Sequence, residues 1–154
     1  MGKSFTFHCD NCGHNLKFYF GIGSMYPTTY QEILTDALLG KFDSEIQKFL
    51  IDNPNGVIDV SRVLANCESC GHHEMTRDFT MYLPKENFQR ETYPLPSDFE
   101  EHYKLFKKYR HKCSYCGEPV EIVTDKNFLT AEINLRCPNC DSFMKKTKKV
   151  GHWD

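Results

Sequence analysis

The sequence predicts a small α+β fold stabilised by bound metal, and three observations predict it. All eight cysteines of the 154-residue chain fall in Cys-x-x-Cys pairs. Apolar residues alternate with polar ones beside those pairs, which is the period of half-buried strands. Between the first two pairs, apolar residues recur instead at helical spacing.

The pairs are Cys9/Cys12, Cys67/Cys70, Cys113/Cys116 and Cys137/Cys140, with no cysteine left over. Two thiolates two residues apart on a tight turn can face one ion, and a second turn completes a tetrahedron. Residues 117–136 separate the last two pairs, an interval expected of a four-cysteine site. Residues 13–66 separate the first two, so a site joining those halves must accommodate a large insertion. Gly13, Gly71 and Gly117 follow three of the pairs and Asp141 the fourth. Glycine, and less readily aspartate, accepts the positive φ that such a turn demands. Sequence proximity favours pairing 9/12 with 67/70 and 113/116 with 137/140, although two other pairings exist.

Other uses of paired cysteines fit less well. A thioredoxin-type pair sits at a helix N-terminus, whereas glycine and strand-like residues follow each pair here. Haem attachment needs histidine directly after the second cysteine, and His14 and His72 come one position later. The N-terminal Met1–His8 segment lacks the roughly 7–15-residue apolar core of a secretory signal, and no stretch approaches the ~18 uncharged apolar residues of a membrane helix. The expectation is a reducing, cytoplasmic setting in which thiols serve metals or redox chemistry.

Phe5 and Phe7 alternate before the first pair and Leu16, Phe18 and Phe20 after it, giving a hairpin. Thr29 and Glu32 in capping-box register open a helix with Ile33, Ala37 and Leu38 on one face and Gly40 as its stop. Asp43 caps a second helix carrying Ile46, Phe49 and Leu50, which ends before Pro54. Val57, Ile58 and Val60 form a short strand, and Phe79, Met81 and Leu83 alternate up to Pro84. The segment 84–96, with three prolines, reads as a linker. Ser97 and Glu100 open another helix, with Phe99, Tyr103, Phe106 and Tyr109 on its face. Val120 and Ile122, then Ala131, Ile133 and Leu135, flank the last two pairs as strands.

The turns Cys9-Asp10-Asn11-Cys12-Gly13, Cys67-Glu68-Ser69-Cys70-Gly71, Cys113-Ser114-Tyr115-Cys116-Gly117 and Cys137-Pro138-Asn139-Cys140 resemble the knuckles of zinc-ribbon and rubredoxin-like proteins. We number these knuckles first to fourth. The resemblance implies two zinc ribbons of antiparallel strands, joined by the linker and one helix. The first would span 1–84, with a helical-hairpin insertion at about 27–52. Residues 85–110 would form the connection and 111–154 the second ribbon. Two zinc ions are the implied cofactors, with iron the rival ion because ligand type barely separates them. The order of the first knuckle, an aromatic strand, Gly21-x-Gly23, Tyr26-Pro27 and Tyr30-Gln31-Glu32 is also similar to a group of small bacterial cytosolic proteins with paired CxxC motifs. That likeness supports the cytosolic and paired-cysteine readings and implies no activity.

Four thiolates per ion leave no open position for water, which argues against an enzyme. His72, His73 and Glu74 do not form a His-Glu-x-x-His motif, and Gly21-Ile22-Gly23 lacks the rest of a phosphate loop. No small-molecule substrate and no membrane are indicated. Residues 1–96 carry 8 basic and 12 acidic side chains, and residues 97–154 carry 11 and 9. Eight thiolates with two divalent ions would bring the formal charge from −2 to −6, a poor general nucleic-acid binder. The leading expectation is therefore a protein-interaction module or adaptor. The alternative is nucleic-acid binding through Lys145, Lys146, Lys148, Lys149, Phe143 and Trp153. A thiol redox or metal-handling role is the third.

Overall fold

The structure, a computed structural model, describes residues 2–154. Strands β1 (Gly2–His8) and β2 (Asn15–Phe20) precede helices α1 (Tyr26–Leu38) and α2 (Ser44–Asp52). Then come β3 (Val57–Ile58), β4 (Arg62–Asn66), β5 (His73–Arg77) and β6 (Met81–Pro84). A 3-10 turn (Pro96–Asp98) leads to the short α3 (Phe99–His102), β7 (Tyr103–Lys107), β8 (Glu121–Val123) and β9 (Lys145–Trp153). The strands form three sheets, β2-β1-β9, β3-β6-β7 and β5-β4-β8. This is a small mixed α/β protein built largely of antiparallel strands.

The chain divides into two units. Unit 1 comprises Met1–Ser24, Arg62–Thr76 and Arg110–Asp154, and unit 2 comprises Met25–Ser61 and Arg77–Tyr109. Every cysteine lies in unit 1, and every helix in unit 2.

In unit 1, β1 pairs with β2 in the register Phe5↔Phe18 and Phe7↔Leu16. Strand alternation therefore sends Phe5, Phe7, Phe18 and Phe20 to one buried face. Phe128, from the turn-rich segment after β8, fills the space beneath them. Its ring stacks on Phe5 at 4.0 Å and meets Phe7 and Phe20 edge-on at 5.6 and 5.7 Å. Leu64, Val123, Leu135 and Met144 complete this core.

Strand β9 forms the far edge of the β1 sheet. Its register jumps from Phe5↔Val150 to Phe7↔Lys146, so Thr147–Lys149 bulge outward. A bulge carrying exposed lysines is a usual guard for a sheet edge. Lys146 turns the other way. Its Nζ donates to the carbonyls of Phe128 and Ala131 at 2.8 and 2.6 Å and lies 5.5 Å over the Phe128 ring. Replacing Lys146 by methionine keeps the stem and removes the donors. The expected cost is about 1.5–3 kcal/mol for charge-assisted bonds, read as a lower urea midpoint.

Unit 2 follows its sequence signals more closely. Asp43 caps α2, accepting from the Glu45 N–H at 2.8 Å, and Gly40 ends α1 at φ 76°. The start of α1 is earlier than the Thr29/Glu32 box suggests, because Pro27 sits in its first turn, where a missing N–H costs nothing. The proline-rich segment belongs to this unit. Tyr26 Oη donates to the Pro94 carbonyl at 2.6 Å, and Arg90 to that of Pro54 at 2.9 Å.

Two secondary-structure expectations are corrected. The helix expected after Ser97 stops at His102, and Tyr103–Lys107 is strand β7, paired with β6 through Tyr82↔Leu105 and Pro84↔Tyr103. The spacing of Phe99, Tyr103 and Phe106 suits a helix, but sheet pairing overrides such a short run. Ala131, Ile133 and Leu135 do not form a strand either. Residues 124–131 are a turn held by Asn127, whose side chain accepts from the Thr124 N–H at 2.7 Å, and Leu135 is buried as a single plug.

Candidate metal centres

The eight cysteines form two groups of four, Cys9/Cys12/Cys137/Cys140 and Cys67/Cys70/Cys113/Cys116, each with all sulfurs within 4.8 Å of one another. The first knuckle thus joins the fourth and the second joins the third. The pairing that sequence proximity favours is corrected, and with it the picture of two consecutive ribbons at 1–84 and 111–154. Strand register is the physical reason. Pairing of β1 with β9 places His8 opposite Lys145, beside Cys9 and Cys140. Pairing of β4 with β8 places Asn66 opposite Glu121, beside Cys67 and the third knuckle. One centre is nested inside the other along the chain.

The four knuckles repeat one backbone design. The N–H of each first cysteine donates to the carbonyl five residues on: His14, His72, Glu118 and Ser142, at 2.7–2.8 Å. The residue after each second cysteine donates back to the first cysteine's carbonyl at 2.8–2.9 Å. That residue has φ 76°, 78° and 78° at Gly13, Gly71 and Gly117, and 61° at Asp141. Asp141 therefore adopts the same left-handed turn as the three glycines. The N–H groups of His14, His72, Glu118 and Ser142 also point at the second cysteine's sulfur.

The donor set fits a tetrahedral ion. Metal–sulfur bonds of about 2.3 Å imply sulfur–sulfur separations near 3.8 Å. The nearest cross-knuckle pairs, Cys9–Cys140, Cys12–Cys137, Cys67–Cys116 and Cys70–Cys113, stand at 3.5, 3.6, 3.6 and 3.6 Å. Those distances are far beyond a disulfide bond of about 2.05 Å, and all eight thiols are free. The first cysteine of each pair is buried, and the second is exposed or half-exposed.

Acid–base properties also call for a cation. The Ser142 and Asn11 side chains, with the Ser142 N–H, pull Cys140 down to about 5. The Cys116 and Tyr115 N–H groups pull Cys113 down to about 6. The His14 N–H acts on Cys12 in the same sense, but burial and the three neighbouring sulfurs outweigh it and push Cys12 up to about 12. Cys70 behaves likewise, reaching about 12 against the His72 N–H. At any lower pH a metal must expel those protons, so binding weakens as pH falls.

Side chains flanking the cysteines tie the knuckles together. His14 Nδ1 meets Asn139 Nδ2 of the fourth knuckle at 3.1 Å. His72 Nε2 meets the Ser114 hydroxyl of the third at 3.3 Å. The shared signal was visible: only the first two knuckles continue as Cys-Gly-His.

The expected nucleic-acid residues are dispersed. Lys145 pairs with Asp10, whose carboxyl it holds below the usual range. Lys146 is committed to loop carbonyls. Trp153 donates to the Phe20 carbonyl at 3.0 Å and packs on Gly2 and Gly23. Lys148 and Lys149 are exposed, and Phe143 lies beneath the Arg136 guanidinium at 4.8 Å. Among the described residues no helix is long and apolar enough to cross a membrane. No family model, curated protein or solved structure matches the chain.

Proposed function

We propose that the protein is a non-catalytic, zinc-binding scaffold of the cytosol that acts as a protein-interaction module. The observation that carries this reading is the gathering of all eight cysteines into two complete four-sulfur groups. Four thiolates fill a tetrahedral ion, and a filled ion organises structure rather than activating water. Iron would be held by the same ligands; its visible absorption tells the two apart.

A protein partner is favoured over nucleic acid at the C-terminal strand by where the charges lie. Lys145 and Lys146 are spent within unit 1. Unit 2 carries 8 basic and 12 acidic side chains and exposes Met25, Leu39, Phe42, Ile51 and Phe106. The complementary partner is a protein with a basic surface around an apolar centre. Native mass spectrometry of protein purified without added metal is expected to show two zinc ions per chain and a retained partner. Metal-free chains would overturn the scaffold reading, and metal-loaded chains without a partner would overturn the adaptor reading alone.

A further inference from the structure

We infer that the two four-sulfur groups respond differently to oxidation. Cys67/Cys70/Cys113/Cys116 is a peroxide-sensitive centre that releases its ion as disulfides form between its knuckles, and Cys9/Cys12/Cys137/Cys140 keeps its ion. The inference rests on the metal-binding reading above and concerns how one of those centres is regulated.

Sulfur exposure separates the two groups. In the peroxide-sensitive group, Cys70 and Cys116 are both exposed. In the other, Cys12 is exposed, but Cys140 is only half-exposed and packs with Cys9 and Cys137 against the phenylalanine core. Cys116 and Cys140 hold equivalent places, each the second cysteine of the later knuckle, and their surroundings differ. Each receives a backbone N–H, from Glu118 and Ser142 respectively. Cys140 receives the Ser142 and Asn11 side chains as well. Donors that draw charge from a sulfur lower its nucleophilicity.

The supporting strands differ in the same sense. Cys9 follows the long β1–β9 ladder, which runs from Gly2↔Trp153 to His8↔Lys145. The Trp153 N–H on the Phe20 carbonyl clasps its far end. Cys67 follows the β4–β8 ladder, which spans only Leu64↔Val123 to Asn66↔Glu121. A short ladder gives way locally at lower cost than a long one, so the second and third knuckles can close on each other.

Each exposed sulfur of this group also has a buried one to resolve it. Cys70 stands 3.6 Å from Cys113 and Cys116 stands 3.6 Å from Cys67, and Cys67 and Cys113 are buried. An accessible cysteine poised beside a resolving one is the arrangement of a redox sensor. The oxidant is a hydroperoxide, taken here as hydrogen peroxide. The Cys70 or Cys116 thiolate attacks one oxygen, the O–O bond breaks, and a sulfenic acid and hydroxide form. The Cys113 or Cys67 thiolate then attacks that sulfur, the S–S bond forms, and the S–O bond breaks to release a second hydroxide. Two electrons pass from two thiolates to one peroxide, and two protons from solvent turn both hydroxides into water. A group with a disulfide in place of two thiolates has lost half of its ligands and its hold on the ion.

The test treats the metal-loaded full chain with excess hydrogen peroxide at neutral pH. Metal content is measured beforehand, release is followed with a chromogenic chelator against an untreated control, and disulfides are mapped by mass spectrometry of non-reduced digests. Release is expected in two phases, the first carrying one ion per chain and on the order of tenfold faster than the second. Peptides joined through Cys67–Cys116 or Cys70–Cys113 should appear with the first phase, and dithiothreitol with added zinc should restore the starting metal content. Cys12→Ser with Cys140→Ser should keep only the fast phase, and Cys70→Ser with Cys116→Ser only the slow one. The disulfide map of the unsubstituted chain decides if either variant fails to fold. Release of both ions at one rate, a first phase with disulfides among Cys9, Cys12, Cys137 and Cys140, disulfides confined within single knuckles, or retention of both ions in peroxide overturns the proposal. Two ions per chain before peroxide leave the scaffold reading standing in each of those cases, whereas a chain purified without metal overturns both.

Discussion

Cys12→Ser combined with Cys140→Ser is expected to leave one metal ion per chain, whereas Cys12→Ser combined with Cys70→Ser is expected to leave none. The first combination removes two ligands from one four-sulfur group and spares the other. The second removes one ligand from each. Pairing of neighbouring knuckles along the chain would give the opposite result, with Cys12 and Cys70 sharing an ion. The chosen cysteines are exposed or half-exposed, so serine substitutes without opening the core. Metal analysis after gel filtration reads the count directly. The stakes are large, because structural zinc supplies apparent binding free energies of ~10–16 kcal/mol in isolated finger peptides. An ordinary domain has only about 5–15 kcal/mol of stability in total.

The same logic ranks the cysteines within a centre. Cys9 and Cys137 belong to a four-sulfur group and to the core at once, packed with Phe7, Phe128 and Leu135. Cys12 is exposed. Substitution at Cys9 or Cys137 therefore adds a packing defect to the lost ligand, and those variants should accumulate less soluble protein than Cys12→Ser.

The paired-cysteine turns were legible because they are local. A Cys-x-x-Cys turn followed by glycine carries its own geometry, and even Asp141 announces the left-handed turn it makes at φ 61°. The cap at Asp43 and the stop at Gly40 were legible for the same reason. Which knuckle meets which is not local. It depends on β9 finding β1 across almost the whole chain, and nothing near Lys145–Trp153 marks that partner. Phe128 was invisible likewise: it lies in no periodic run, yet three phenylalanine rings converge on it. The β7 segment shows the converse hazard. Phe99, Tyr103 and Phe106 match a helical stripe, but only Phe99 and Tyr103 are buried, and the chain turns from helix to strand between them. The hairpin that hid the long cysteine spacing is part of unit 2, together with β3, β6 and β7, so an apparent insertion is half of a separate core.

Chelation is expected to dismantle unit 1 while unit 2 keeps its helices. Both four-sulfur groups lie in the first, and α1, α2 and α3 in the second. Unit 2 buries Tyr30, Ile46, Val57, Ile58, Val60 and Met81 completely, and each such side chain contributes roughly 1.5–3 kcal/mol. Its two segments are also held together without help from the cysteines. Asp78 N–H donates to the Ser61 carbonyl at 3.0 Å, Phe79 N–H to that of Asp59 at 2.7 Å, and Asp59 N–H to that of Thr80 at 2.9 Å. Unravelling Arg62–Thr76 therefore leaves a flexible loop whose ends stay anchored. The closure entropy of a loop that size is about 2–3 kcal/mol, well below the hydrophobic contribution. Trp153 is the sole tryptophan and belongs to unit 1, where its indole N–H meets the Phe20 carbonyl at 3.0 Å. After exhaustive chelation its emission should shift to the red, while most of the ellipticity at 222 nm survives. Simultaneous loss of both signals would show that the two units unfold as one, and that metal holds the helices as well as the strands.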